Sequence, residues 1–272
     1  MSQMLKIGRQ CGLTFRQKYS RMYSVKLLIL RKIQIMNKEV GSLNTAVILA
    51  GGVGTRMGAD RPKQFLTVND KPIIAFCLKT FENHPKIDAI VIVVDESWRD
   101  YVTEWLQIEN ITKFRSFADP GKTRQHSIYS GLKAAAQFTH DADAVIIHDA
   151  ARPMTDERII SDCIDGAYEM DGAMPVIPVK DTIYQSADGK KIDSLLKRSE
   201  LFAGQAPESF NFGKYFAIHN LVDDSEIAAT NGSSEIAYRH GMKIKLVDGS
   251  ESNFKITTPE DLKAFKRIVD AQ

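Results

Sequence analysis

The chain has 272 residues, 43% hydrophobic and 26% charged, close to the average of a globular domain. That length suits one well-buried core and excludes disordered and collagen-like classes, and the longest apolar run falls far short of the roughly 18 residues that a membrane span needs. Cys11, Cys77 and Cys163 stand far apart with no C-x-x-C pair, so neither a zinc site nor a disulfide framework is expected, and a reducing cytoplasmic compartment is.

The net charge of +2 is unevenly spread. Residues 1–41 carry nine Lys or Arg against the single acid Glu39, a balance of +8 that leaves −6 for the rest. A mildly acidic body offers no basic face for nucleic acid, which is therefore not expected as a partner. Within residues 1–43 the apolar patch from Val25 to Leu30 is cut off by Arg31 and Lys32, serine is sparse and no small-residue cleavage signal follows. This stretch reads as a disordered or loosely helical basic extension rather than a transit peptide, with the folded domain at 44–272.

From residue 45, β-branched apolar runs alternate with amphipathic stretches. The runs are Ala46 to Leu49, Ala89 to Val94, Ala144 to Ile147, Ala173 to Ile177 and Ile244 to Val247. Helices are predicted from Ile73 to Glu82, Trp98 to Gln107, Gln125 to Phe138, Asp156 to Met170, Lys214 to Leu221 and Pro259 to Val269. Such βα alternation implies an α/β fold of three layers, helices on both faces of a mostly parallel twisted sheet. The last helix has the best-marked start: Thr258 as cap, Pro259 at the first position and Asp261 three residues on from the cap. Residues 179–200 break the alternation. Ala187-Asp188-Gly189 between strand-like Thr182 to Gln185 and Lys191 to Leu196 predicts a β-hairpin arm, which has little core of its own and calls for a second subunit to cover it.

Four segments carry polar chemistry. LAGGVGTRMG (49–58) follows the first strand and precedes PKQF (62–65); its glycines allow close backbone approach and positive φ, so that amides can converge on phosphates, with Arg56 and Lys63 adding charge. Neither the G-x-G-x-x-G helix fingerprint nor the G-x-x-x-x-G-K-[ST] loop is matched. GKTRQHSI (121–128) opens a helix whose N-terminal amides favour an anionic or carbonyl ligand, with Ser127 in reach of a base edge; Thr123 capping alone is the plain alternative. HDAARP (148–153) ends a buried strand, where open parallel sheets bind ligands. Asp149 there suits Mg²⁺ or a substrate hydroxyl, or simply pairs with Arg152. His148 reads as a structural hydrogen-bonding residue. In NFKITTPEDL (253–262), Lys255 either snorkels or meets an anion.

In this order, and together with VKDTI (179–183), these motifs resemble those of the cytidylyltransferases that make CDP-linked polyols, the methylerythritol-phosphate and ribitol-phosphate family, over about residues 45–270. The resemblance implies a Rossmann-like nucleotidyltransferase fold and transfer of a cytidylyl group from CTP to a polyol phosphate, with Mg²⁺ as cofactor and pyrophosphate released. It implies that Arg56, Lys63 and Lys255 hold the triphosphate and stabilise the transition state, and that Ala50, Gly51 and Gly52 cradle phosphates. By the same likeness Gly121 and Ser127 read cytosine, Asp149 and Arg152 contact the polyol phosphate, and Asp149 also the metal. Thr182 and Arg198 would reach a neighbour's pocket in a homodimer built through the arm. Methylerythritol phosphate is the expected acceptor, with ribitol 5-phosphate as the alternative. Asn231, where relatives carry an acid, keeps open a CTP-binding regulatory module without turnover. A sugar-1-phosphate nucleotidyltransferase would share the glycine-rich start but prefer UTP or dTTP.

Overall fold

The computed structural model describes residues 43–52 and 61–271; the expectations for the extension before residue 43, and for Arg56, lie outside the described residues. Strand β1 (Thr45–Leu49) leads through the short β2 (Thr67–Val68) and β3 (Lys71–Pro72) into α1 (Ile73–Asn83), then β4 (Ala89–Val93), α2 (Arg99–Ile108), β5 (Phe114–Ala118), α3 (Arg124–Ala135) and β6 (Ala144–Asp149). After α4 (Glu157–Glu169) come β7 (Gly172–Pro178), β8 (Tyr184–Gln185), β9 (Ser194–Leu195), β10 (Phe202–Gly204) and β11 (Glu208–Asn211). Helices α5 (Phe212–Leu221), α6 (Asp224–Ala229) and α7 (Ser233–Arg239), strand β12 (Ile244–Asp248) and helix α8 (Pro259–Asp270) complete the order.

The main sheet runs β10-β7-β11-β6-β1-β4-β5, with β12 also on β7. β1, β4, β5 and β6 are parallel neighbours, and β12 runs parallel to β7, whereas β11 is antiparallel to both β6 and β7 and β10 is antiparallel to β7. The mostly parallel reading therefore holds, with antiparallel strands inserted on one side.

Strands β1, β4 and β6 are buried almost along their whole length because helices cover both faces, which is why each contains an unbroken apolar run. Ile48, Ile90, Ile92 and Ile146 face α1, α2 and α4 through Leu78, Phe81, Val102 and Ile160. The alternate residues Val47, Val91, Val145 and Ile147 face α3, α5 and α7 through Ile128, Leu132, Tyr215 and Ile236. A third cluster, Val68, Ile73, Ile256 and Phe265, packs α8 against the first hairpin and anchors the segment that carries Lys255.

Helix α8 starts as predicted: Thr258 Oγ1 accepts from the Asp261 N–H, and the Asp261 carboxylate accepts from the Thr258 N–H at 2.8 Å. The arm forms with shorter strands than expected, two residues each, because Asp188 and Asp193 accept backbone N–H groups of Lys190 and Ala187 and knit the tip into a loop. Gly189, at φ 69°, supplies the left-handed residue of that loop. No helix among the described residues is long and apolar enough to cross a membrane. Cys77 and Cys163 are buried free thiols whose pKa burial pushes up, so both are held protonated.

Candidate active site

Chain order after β5 crosses back over β1 to place β6 on its other side, and the β1–β6 register sets Leu49 beside Asp149. The glycine turn and the acid thus leave one sheet edge at the point where strand order reverses, the usual ligand crevice of an open α/β sheet.

The turn after β1 is held from below. Gln64 donates to the carbonyls of Ala50 (2.5 Å) and Gly52 (2.9 Å), while Phe65 next to it is fully buried and stacks on Trp98 at 4.3 Å. PKQF is thereby a brace that fixes Lys63, whose Nζ donates to the carbonyl of Ile256 at 2.8 Å. Two sequence expectations are corrected here. The Ala50 N–H is spent on the Val93 carbonyl at 2.8 Å, so it is not available to converge on a phosphate. Nor do Gly51 and Gly52 take positive φ: Gly51 is required because a Cβ there would fall 2.3 Å from the Cβ of Pro120, where the second loop packs against the turn.

In that second loop the Gly121 N–H donates to Ser127 Oγ (3.0 Å), and the Ser127 hydroxyl donates to the Thr123 carbonyl (3.1 Å). Thr123 caps α3, as the plain alternative held, and Ser127 is bonded within its own loop.

Asp149 is the electrostatic centre. Its Oδ1 accepts from Arg124 Nε at 3.3 Å, and its Oδ2 lies 2.9 Å from Lys255 Nζ and 3.7 Å from Arg152 Nε. Burial alone raises a carboxyl pKa, but Arg124 and Lys255 outweigh it and hold this one well below the ordinary range. Lys255 therefore does meet an anion, one belonging to the protein. Arg152 donates to the Asn253 carbonyl at 2.6 Å, and the Asn253 side chain donates to the Ala206 carbonyl at 2.8 Å, so the loop ahead of α8 is locked against the strands. His148 is fully buried with Nε2 3.1 Å from the Arg152 carbonyl; burial lowers its pKa to about 4 and keeps it neutral.

The expected Mg²⁺ at Asp149 does not fit this donor set. Mg²⁺ needs free carboxylate or phosphate oxygens in octahedral array, yet both oxygens of Asp149 already face cations. Among the described residues, no three His, Cys, Asp or Glu side chains converge on a metal position.

A cavity of about 720 Å³ opens over this floor, lined on its polar side by Arg124, Asp149, Arg152, Glu208, Asn231 and Lys255. Its apolar wall is Met174, Ile244, Leu246 and Tyr238. The structure thus gathers Asp149, Arg152 and Lys255, with Lys63 bonded to the residue after Lys255. Thr182 and Arg198 do not line the cavity: both are exposed on or beside the arm, where Arg198 donates to the Lys180 carbonyl at 3.0 Å. Arg124 and Glu208 were missed from the sequence, although Arg124 stands inside GKTRQHSI.

A cation-floored crevice at the reversal point of such a sheet, beside a glycine turn packed on a second loop, suits a phosphate-bearing ligand. The chain belongs to the 2-C-methyl-D-erythritol 4-phosphate cytidylyltransferase (IspD) family, whose model matches residues 44–271. It is 36% identical over 231 residues to a ribitol-5-phosphate cytidylyltransferase of Streptococcus agalactiae serotype Ia, covering 85% of this chain and 97% of that one. It is also 36% identical over 230 residues to a 2-C-methyl-D-erythritol 4-phosphate cytidylyltransferase of Clostridium novyi, covering 84% and 97%. The fold matches the crystal structure of 4-diphosphocytidyl-2C-methyl-D-erythritol synthase from Anaerococcus prevotii with a TM-score of 0.72 at 24% identity, over 84% of this chain and 96% of that one.

Proposed function

We propose that the chain transfers the cytidylyl group of CTP to a polyol phosphate, with ribitol 5-phosphate tested ahead of the methylerythritol phosphate expected from the motifs, because relatives from Streptococcus agalactiae and Lacticaseibacillus paracasei are named for it. The cluster of Lys255, Arg152 and Arg124 on one buried carboxylate, with Lys63 tied to the next residue, is the observation that carries this reading. A phosphate oxygen of the acceptor attacks the α-phosphorus, the bond from that phosphorus to the α–β bridging oxygen breaks, and pyrophosphate leaves with the electron pair. Fixed cations around the departing polyphosphate lower the barrier because they need no reorganisation as charge develops. Lys63, Lys255 and Arg56 take that role in our reading, Gly51 and Gly52 present backbone to the phosphates, and Gly121 and Ser127 receive the base. Mg²⁺ would be held by oxygens of the nucleotide's phosphates rather than by Asp149, and would supply charge neutralisation there.

Methylerythritol 4-phosphate is the second reading, supported by the family match and by the Clostridium relative at the same identity as the streptococcal one. We also read the chain as a homodimer through the arm. Tyr184, Ile192 and Leu195 there are 54%, 60% and 71% exposed, more apolar surface than an isolated two-stranded hairpin can shield. Thr182 and Arg198 would then serve the neighbouring pocket.

The deciding assay incubates the full chain with CTP, Mg²⁺ and each polyol phosphate and measures pyrophosphate release. Turnover with one acceptor, falling by about a hundredfold or more in Lys63→Ala and in Lys255→Ala, is expected for lost transition-state contacts. Binding of CTP with no release for either acceptor would leave the regulatory-module reading in its place.

A further inference from the structure

Arg124 is bonded by groups from three other elements at once. Its Nε donates to Asp149 at the end of β6 (3.3 Å), its Nη1 donates to Ser233 Oγ at the start of α7 (2.7 Å), and its Nη2 lies 3.7 Å from Glu208 Oε1 on β11. Glu208 is buried and uses its other oxygen to accept from both the N–H (2.8 Å) and the hydroxyl (2.7 Å) of Ser234. Helix α7 and the residues leading into it contribute Asn231, Ser234, Glu235 and Tyr238 to the cavity wall, whereas Asp149 is its floor. A planar fork is the one side chain that can hold three partners in fixed directions; an ammonium is a point charge without that geometry.

We infer that Arg124 is a positioning residue for the transfer: with Glu208 it forms a clamp that locks the α7 wall to Asp149 and thereby fixes the ammonium of Lys255. The inference rests on the proposed reaction for its catalytic meaning. The clamp acts on the placement of groups that contact substrate, so loosening it reduces kcat more than it weakens CTP binding. A displacement of about 1 Å in such a constellation is enough for a hundredfold loss.

The test uses the full chain with Arg124→Lys, Arg124→Ala and Glu208→Gln. Arg124→Lys keeps the charge and loses the fork, and kcat should fall by about a hundredfold with the KM for CTP within about threefold. Glu208→Gln still accepts from Ser234 and loses the ion pair, so a fall of about tenfold is expected, and none once Arg124 is already Ala. Methylguanidinium in the buffer should restore turnover to Arg124→Ala and not to Lys255→Ala. Hydrogen exchange over residues 233–239 should quicken in both Arg124 variants while the strands of the sheet stay protected. Equal kcat in wild type and Arg124→Lys, or unchanged exchange over α7, overturns the clamp. A wild-type chain inert with CTP and both acceptors overturns the reaction instead, and the exchange measurement then decides the clamp by itself.

Discussion

Replacing Asp149 by Asn keeps the shape of the side chain and removes its charge from beneath three cations. At an effective dielectric of about 20, unit charges at the observed separations of 2.9, 3.3 and 3.7 Å attract by about 4 to 6 kcal/mol each. Most of that gross attraction is offset by the desolvation of the partners, and loss of one member of a buried ion pair typically costs about 3–5 kcal/mol. Arg152 and Lys255 lose their charge partner here while Arg124 keeps Glu208, so the upper part of that range, about 4–5 kcal/mol, is expected, or roughly 8–20 °C in Tm for a domain of this size. Because the folded carboxyl is held below its unfolded pKa of about 3.9, the wild-type contribution is complete above about pH 5 and is lost as pH falls further; Asp149→Asn has no such loss. The same variant has an unbalanced cationic floor, so inorganic pyrophosphate should bind about tenfold more tightly and raise the variant's Tm more than that of wild type. Circular dichroism melts with and without pyrophosphate read both effects. A melt within about 3 °C of wild type, together with an equal pyrophosphate shift, would refute the view that Asp149 is the counter-charge of the site.

Three more outcomes follow from particular contacts. His148 and His219 are buried with pKa values lowered to about 4 by burial, so the unfolded chain binds more protons than the folded one between about pH 6.5 and 4; urea midpoints should fall steadily from pH 7 to 5, each histidine removing up to about 3 kcal/mol by pH 4, and a flat profile counts against it. Gly51→Ala drives a methyl to 2.3 Å from Pro120 and should destabilise by about 1–3 kcal/mol, whereas Gly52→Ala, with none of the described residues within 4 Å, should melt as wild type; denaturant curves of the pair distinguish close packing from backbone freedom. Ile192→Asp with Leu195→Asp puts charge on the exposed arm and should convert a dimer to monomers in sedimentation velocity with the fold intact, and an unchanged sedimentation coefficient removes the arm from the interface.

Legibility from sequence tracked how local the determining physics was. β1, β4 and β6 each carry an unbroken apolar run because both of their faces are covered, and α8 is delimited by its own cap, so each was readable in isolation. β11 was not: Glu208 and Asn211 at its ends look like loop residues until Ser234 and Asp141 are brought to them. Helices α6 and α7 are six and seven residues long, too short for periodicity to register, and their placement comes from packing. The motif residues of the site were visible because chemistry selects their types. The Arg124–Glu208 link was invisible, since it joins groups distant in the chain that no local pattern pairs. Gly51 was read for backbone freedom, whereas packing on Pro120 is what excludes a side chain there, and sequence does not show which neighbour forbids one.

That difference bears on how the site exists before substrate arrives. A crevice meant for a polyphosphate must hold cations side by side, and Arg124, Arg152 and Lys255 without a counter-charge would repel one another and splay into solvent. Asp149 and Glu208 supply two negative charges against those three positive ones, leaving the ensemble slightly cationic, enough to attract an anion without scattering its parts. When a triphosphate takes over as the partner of Lys255, the ammonium moves from one anion to another rather than from water to an anion, and little reorganisation remains to be done during bond breaking. Catalytic preorganisation and ligand-free stability therefore draw on the same buried carboxylate. A variant such as Asp149→Asn is thus expected to bind polyphosphate more strongly while catalysing worse, because tighter binding of the departing pyrophosphate is not the same as stabilising the transition state that releases it.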